Sequence, residues 1–197
     1  MNTPNKLTLL RVILVPFFVF ALLAINTPYN FLTALIIFIA ASITDMLDGK
    51  IARKRDLVTD FGKFLDPLAD KILVMSALIC FVQLGITNSV IVIIILFREL
   101  AVTSIRLVAS NNQTVVAANF WGKAKTVSQI VAILSVLTFH FFLGLVSLNV
   151  FPFCIDLNLL TYIVKITDNI LLWSSAALTL ISGFIYLKQN FHFLSDR

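Results

Sequence analysis

The stretch "TDMLDGKIARKRDLVTDFGKFLDPLADK", residues 44–71, decides how this chain is read. It carries six aspartates from Asp45 to Asp70, in a protein that is 59% hydrophobic and only 13% charged. Carboxylates beside hydrocarbon are costly, so a chain that keeps several there has a use for them. What surrounds the stretch says what kind of protein it is, and the aspartate spacing says what they can do.

On either side of it the charges vanish. Residues 12–44, 72–97 and 126–155 contain no Asp, Glu, Lys or Arg. About 20 apolar residues in a helix span the bilayer core, and in lipid the backbone must satisfy its own hydrogen bonds, which favours helices. With a mean hydropathy of +0.99, the composition excludes a soluble globular domain and predicts an all-α integral membrane protein. The turn cluster Asn26-Thr27-Pro28-Tyr29-Asn30 divides the longest run. Six transmembrane helices are then expected over residues 7–25, 31–52, 62–84, 89–110, 122–145 and 162–187, with loops at 111–120 and 147–158. They form a single domain over residues 1–197, without internal repeats.

Six helices leave both termini, the 2–3 loop and the 4–5 loop on one side. That side collects Lys6, Arg11, Lys50, Arg53, Lys54, Arg55, Arg106, Lys123, Lys125, Lys188 and Arg197, whereas Lys165 is the exception on the other. Basic residues mark the cytoplasmic side. The termini and the aspartate stretch therefore face the cytoplasm, and the first helix, lacking a cleavage site, is a retained span. The basic surplus is accounted for in this way, and no nucleic-acid partner is expected. Cys80 and Cys154 read as buried small hydrophobes, and His140 as a packed or hydrogen-bonded helix residue standing alone.

Asp45 and Asp48 are three apart and Asp66 and Asp70 four apart, so each pair shares a helix face. Residues 49–65 must return the second helix alongside the first, which brings four carboxylates to one depth. Such a group repels itself unless cations lie within it. Oxygen-only donors without His or Cys point to hard divalent ions such as Mg2+, Mn2+ or Ca2+. The competing reading is a solvated charged turn. It suits Asp56, beside Arg53, Lys54 and Arg55, but leaves Asp66 and Asp70 unexplained among Leu and Phe.

The pattern Asp45-x2-Asp48-Gly49-x2-Ala52-Arg53-x8-Gly62-x3-Asp66-x3-Asp70 fixes eight residue types at set spacing. It resembles the signature of the CDP-alcohol phosphotransferases. The resemblance implies a six-helix membrane enzyme, a homodimer among membrane lipids in the bacterial cytoplasmic membrane, with its site open to the cytoplasm. It also implies transfer of a phosphatidyl group from CDP-diacylglycerol to an alcohol, with release of CMP. Carried over residue by residue, Asp45, Asp48 and Asp66 would hold one divalent ion and Asp45, Asp66 and Asp70 a second, Mg2+ or Mn2+. Asp70 would also take the proton of the attacking hydroxyl. Gly49, Arg53 and Thr59 would contact the cytidine diphosphate, Ala52 and Gly62 would leave it room, and Asn5 and Thr8 of "PNKLTLLR" (residues 4–11) would complete the nucleotide-lipid site.

"REL" at residues 98–100, Arg106 and "GKAKT" at residues 122–126 look like the family members that use glycerol 3-phosphate. Ser182, Gly183 and Tyr186 add a fainter "SG..Y" echo. A phosphorylated acceptor needs cations, and Arg98, Arg106, Lys123 and Lys125 are the candidates. Arg98 and Arg106 lie about 80° apart around one helix. Arg98 lies inside an apolar span, where it needs a partner or water; Glu99 is adjacent but on a different face. Lys123 and Lys125 lie about 200° apart, so both cannot point squarely into one pocket. Serine, inositol phosphate or another phospholipid as acceptor would keep the same aspartates. A cation transporter could also use helical carboxylates, though its site would be expected near the midplane.

Overall fold

Apolar side chains spaced three and four apart give each long run one face to bury. The computed structural model describes residues 3–24, 29–55, 60–111, 120–148, 150 and 156–189; for residues 3–5, 45–55, 60–67, 70 and 107–111 it describes the helix and not the side chain. The described residues form six helices and no strand: α1 (Thr3–Leu23), α2 (Asn30–Arg55), α3 (Asp60–Gln83), α4 (Ser89–Asn111), α5 (Phe120–Ser147) and α6 (Leu157–Gln189). Helix α1 packs on α2 and α3, α5 on α6 and α2, and α4 chiefly on α6.

One core joins all six. Phe18 and Leu22 of α1 meet Phe38 of α2, Leu78 and Phe81 of α3, Ile91 and Ile95 of α4, Ile133 and Leu137 of α5 and Leu172 of α6. Phe18 and Phe38 pack with tilted rings 5.9 Å apart. Buried Ala34, Ala41 and Ala77 let the helix axes approach closely. The outside is as apolar as the inside, with Phe17, Phe20, Ile93, Phe97, Ile170 and Phe184 exposed, as a lipid-facing surface requires. Among the described residues, three stretches are long and apolar enough to cross a membrane: Lys6–Leu23, Phe120–Ser147 and Leu157–Gln189. Asn30–Thr44 and Lys71–Gln83 are shorter apolar segments, and α4 carries Arg98, Glu99 and Arg106 within it. The chain is an integral membrane protein by this pattern.

Local chemistry sets the helix ends. Gly85, at φ 71°, closes α3. Its N–H donates to Val82 O (3.0 Å) and that of Ile86 to Phe81 O (2.9 Å), the paired bonds of a glycine helix stop. Asn88 Oδ1 then accepts from Val90 N at 3.0 Å and starts α4. Two starts differ from expectation. Helix α1 begins at Thr3 and not at residue 7, and α6 begins at Leu157 and not at residue 162. For α6 the reason is Asp156, whose Oδ1 accepts from Asn158 N at 2.9 Å and caps the helix inside the expected loop.

Candidate active site

The aspartate-bearing helices are longer than the sequence pattern suggests. Helix α2 continues to Arg55 and α3 begins at Asp60, leaving four residues between them. At 1.5 Å per residue, Asp45 and Asp48 lie about 15 and 10 Å before the end of α2, and Asp66 and Asp70 about 9 and 15 Å after the start of α3. Gly49, Ala52 and Arg53 belong to α2 and Gly62 to α3. The side chains of these residues, of the four aspartates and of Asn5 lie outside the described set, as do Asp56 and Thr59 altogether. Thr8, on α1, is buried.

Beside α3 the described side chains build a second feature. A cavity of about 500 Å³ is bordered by Lys71, Arg98, Glu99, Arg106, Lys123 and Lys125, so among the described residues five cationic side chains surround one carboxylate. Lys71 follows Asp70 in the chain, so the cavity borders α3 at the position next in sequence to the motif. A smaller cavity of about 80 Å³ shares Lys71, Glu99 and Lys125 and reaches inward to Arg11 and Gln129.

Glu99 organises this cluster. Its Oε1 receives Arg98 Nη1 at 3.2 Å and pairs with Lys125 Nζ. Lys71 Nζ donates to Glu99 O at 3.4 Å and to Thr103 Oγ1, while Thr103 Oγ1 itself donates to Glu99 O at 2.6 Å. Arg98 is 7% exposed. Its Nη2 donates to Ser182 Oγ at 2.6 Å. Arg106, at the exposed rim, lies over the Tyr186 ring, 5.5 Å from the centroid, a cation–π distance.

Two expectations about direction are corrected here. The 100° step between neighbours puts Glu99 on another face of α4 from Arg98, yet their charged ends meet, because the long arginine stem spans the angle. The 200° separation of Lys123 and Lys125 implies that both cannot point squarely into one pocket. Both border the cavity, which extends along the first turn of α5 past Gly122, Thr126 and Val127. Lys125 is buried against Glu99, and Lys123 is exposed at the edge.

Comparison with known proteins places this arrangement. The family model for CDP-alcohol phosphatidyltransferase matches residues 1–181. The chain belongs to the CDP-alcohol phosphatidyltransferase family. It is 42% identical, over 98% of its own length and 97% of the relative's, to a Bacillus subtilis (strain 168) protein named CDP-diacylglycerol–glycerol-3-phosphate 3-phosphatidyltransferase. A Rickettsia bellii protein of the same name is 36% identical over 95% of this chain and 94% of its own. A probable phosphatidylglycerophosphate synthase of Mycobacterium tuberculosis is 44% identical over 67% of this chain and 64% of its own.

In this CDP-alcohol phosphatidyltransferase, the four aspartates of the motif are borne in pairs by α2 and α3 and offer carboxylate oxygens alone. That chemistry fits hard divalent cations. Several residues of the site carry no local signal. Glu99 meets a lysine 26 positions away, Lys71 reads as the end of an acidic stretch, and Gln129 Nε2 bonds Thr179 Oγ1 at 3.1 Å across α5 and α6. A paired charge in an apolar helix can be expected to have some partner. Only the fold says which.

Proposed function

We propose that this chain transfers the phosphatidyl group of CDP-diacylglycerol to sn-glycerol 3-phosphate, giving phosphatidylglycerophosphate and CMP. The observation that carries the reading is the cavity beside α3, whose lining of five cations and one carboxylate suits a phosphorylated acceptor. The names of relatives that match along nearly the whole chain support the same donor and acceptor.

In this reading the acceptor hydroxyl oxygen attacks the phosphorus that bears the diacylglycerol. The bond from that phosphorus to CMP breaks, and Asp70 takes the hydroxyl proton. Asp45, Asp48 and Asp66 hold one divalent ion, Mg2+ or Mn2+, and Asp45, Asp66 and Asp70 a second; when bound, such ions neutralise charge on phosphoryl oxygens. Arg53, with Gly49 and Thr59, binds the cytidine diphosphate. Ala52 and Gly62 admit it, and Asn5 and Thr8 border the same site. Arg98, Arg106, Lys123 and Lys125 receive the acceptor phosphate through charge-assisted hydrogen bonds. The lipid chains stay in the bilayer while the head group reaches the interface.

The same reading makes the chain a single domain with six membrane spans and cytoplasmic termini, working as a homodimer in a bacterial cytoplasmic membrane with its site facing the cytoplasm. The excess of Lys and Arg on one side of the helix order supports that orientation. Product identity tests the function. Purified protein is given CDP-diacylglycerol, Mg2+ and, in turn, glycerol 3-phosphate, serine, inositol phosphate or phosphatidylglycerol. CMP release and phosphatidylglycerophosphate are expected with the first acceptor alone. Turnover with another acceptor and none with glycerol 3-phosphate would refute it.

A further inference from the structure

Ser182, Gly183 and Tyr186 of α6 bear no charge that could serve the chemistry, yet each lies against an arginine of α4. Ser182 Oγ receives Arg98 Nη2 at 2.6 Å, a bond buried between the two helices. A Cβ built on Gly183 would sit 2.8 Å from Arg98 Cγ, 3.7 Å from Nε and 3.8 Å from Cδ. The first distance is closer than real Cβ atoms come, and Cγ belongs to the stem of the side chain, not its free end. Any side chain at position 183 therefore displaces the whole arginine. Tyr186, one helical turn beyond Ser182, lies beneath Arg106.

Arg98 has more donors than this seat occupies. A guanidinium carries five N–H groups in a fixed fork. Nη1 goes to Glu99 and Nη2 to Ser182, while Nε is buried and has no hydrogen-bond partner among the described residues. Arg98 borders a cavity lined by four further cations, and the Nη hydrogens that Glu99 and Ser182 leave over are donors suited to an anion. We propose that Ser182 and Gly183 are positioning residues for the transfer reaction: they fix the Arg98 guanidinium so that its free N–H groups meet the phosphate of the acceptor. The inference rests on the reading of the cavity as the acceptor site. The competing explanation is that a small residue at position 183 only lets α4 and α6 pack closely.

Steady-state kinetics with each substrate varied separately distinguishes the two. Gly183→Ala and Ser182→Ala should each raise the KM for glycerol 3-phosphate about tenfold, the scale of one hydrogen bond to a charged group. The KM for CDP-diacylglycerol should stay within about twofold, because its diphosphate is bound elsewhere. In an Arg98→Ala background both substitutions should then do nothing further, since the stem that Gly183 accommodates and the donor that Ser182 receives are gone. Ser182→Thr, which keeps the hydroxyl, should retain most acceptor binding. Equal losses with and without Arg98, or an unchanged acceptor KM in both single variants, would overturn the positioning role. If Gly183→Ala does not fold, the Ser182→Ala cycle decides alone. An Arg98→Ala enzyme with an unchanged acceptor KM would instead refute the acceptor site itself.

Discussion

The α5–α6 half of the bundle buries ionisable side chains at two levels, fourteen residues apart on α6 and so about 21 Å along its axis. At Asp168 the arrangement is one to one. His140 Nε2 lies 2.9 Å from Asp168 Oδ2, with Asp168 almost fully buried and the imidazole stacked on Phe31, ring centroids 5.0 Å apart. The cavity next to His140, about 230 Å³, has no Asp, Glu, Lys or Arg among the described residues of its lining. At the level of Ser182 the arrangement is lopsided, with Arg98 and Lys125 sharing one Glu99 oxygen and Lys71, Arg106 and Lys123 around the same cavity. Asp168, Arg98 and Lys125 are all buried in apolar helices, so burial alone does not mark function. Stoichiometry among the described residues separates them: one imidazole meets one carboxylate across two helices, whereas five cationic side chains and one carboxylate border a cavity with room for an anion.

The widest separation should come from the carboxylates of α2 and α3, the proposed holders of the divalent ions. Asp45→Asn, Asp66→Asn or Asp70→Asn should each lower CMP release by about a thousandfold or more while the protein stays folded in detergent. A chelator should do the same reversibly, and full activity in chelator would remove the metals from the account. The balanced pair should behave the opposite way. His140→Phe leaves Asp168 buried without its partner and should cost about 1–3 kcal/mol of stability, read as a lower Tm in detergent, with both KM values unchanged. Replacing both residues, as in His140→Phe with Asp168→Leu, should recover most of that loss. A tenfold rise in either KM with His140→Phe would break the comparison. The smallest effect belongs to Asp56, read as solvated charge beside Arg53, Lys54 and Arg55: Asp56→Asn should keep activity within about twofold. A loss as severe as that of Asp66→Asn would mean the acidic site extends into the α2–α3 link.

How far the sequence carries can be judged residue by residue. Uncharged runs and the turn cluster at residues 26–30 place all six helices, because lipid leaves the backbone no alternative to helix. The ends are harder to see. Asp156 caps α6 from within a stretch whose Asn and Asp also suit a loop. The aspartate motif is legible because its spacing is local, three and four residues on helices. The seat of Arg98 is not, since Ser182 lies 84 positions away and Gly183 matters for the atoms it lacks. His140 looks solitary in sequence for the same reason, its partner being 28 positions on in another helix. Contacts between helices follow from packing, and no periodicity encodes them.

Arg106 offers the most direct test, because it is one of those five cations and rests on a tyrosine ring, with no carboxylate partner among the described residues. Steady-state kinetics of Arg106→Ala, with each substrate varied in turn, should show the KM for glycerol 3-phosphate raised about ten- to a hundredfold, as expected for one charge-assisted bond of about 1.5–3 kcal/mol. The KM for CDP-diacylglycerol should move by less than about twofold, and Arg106→Lys should restore only part of the loss, since an ammonium lacks the planar fork. The contradictory result is an enzyme whose affinity for the nucleotide lipid falls while glycerol 3-phosphate is spared. The cations of the cavity would then serve the diphosphate, and their stoichiometry would no longer identify the acceptor site.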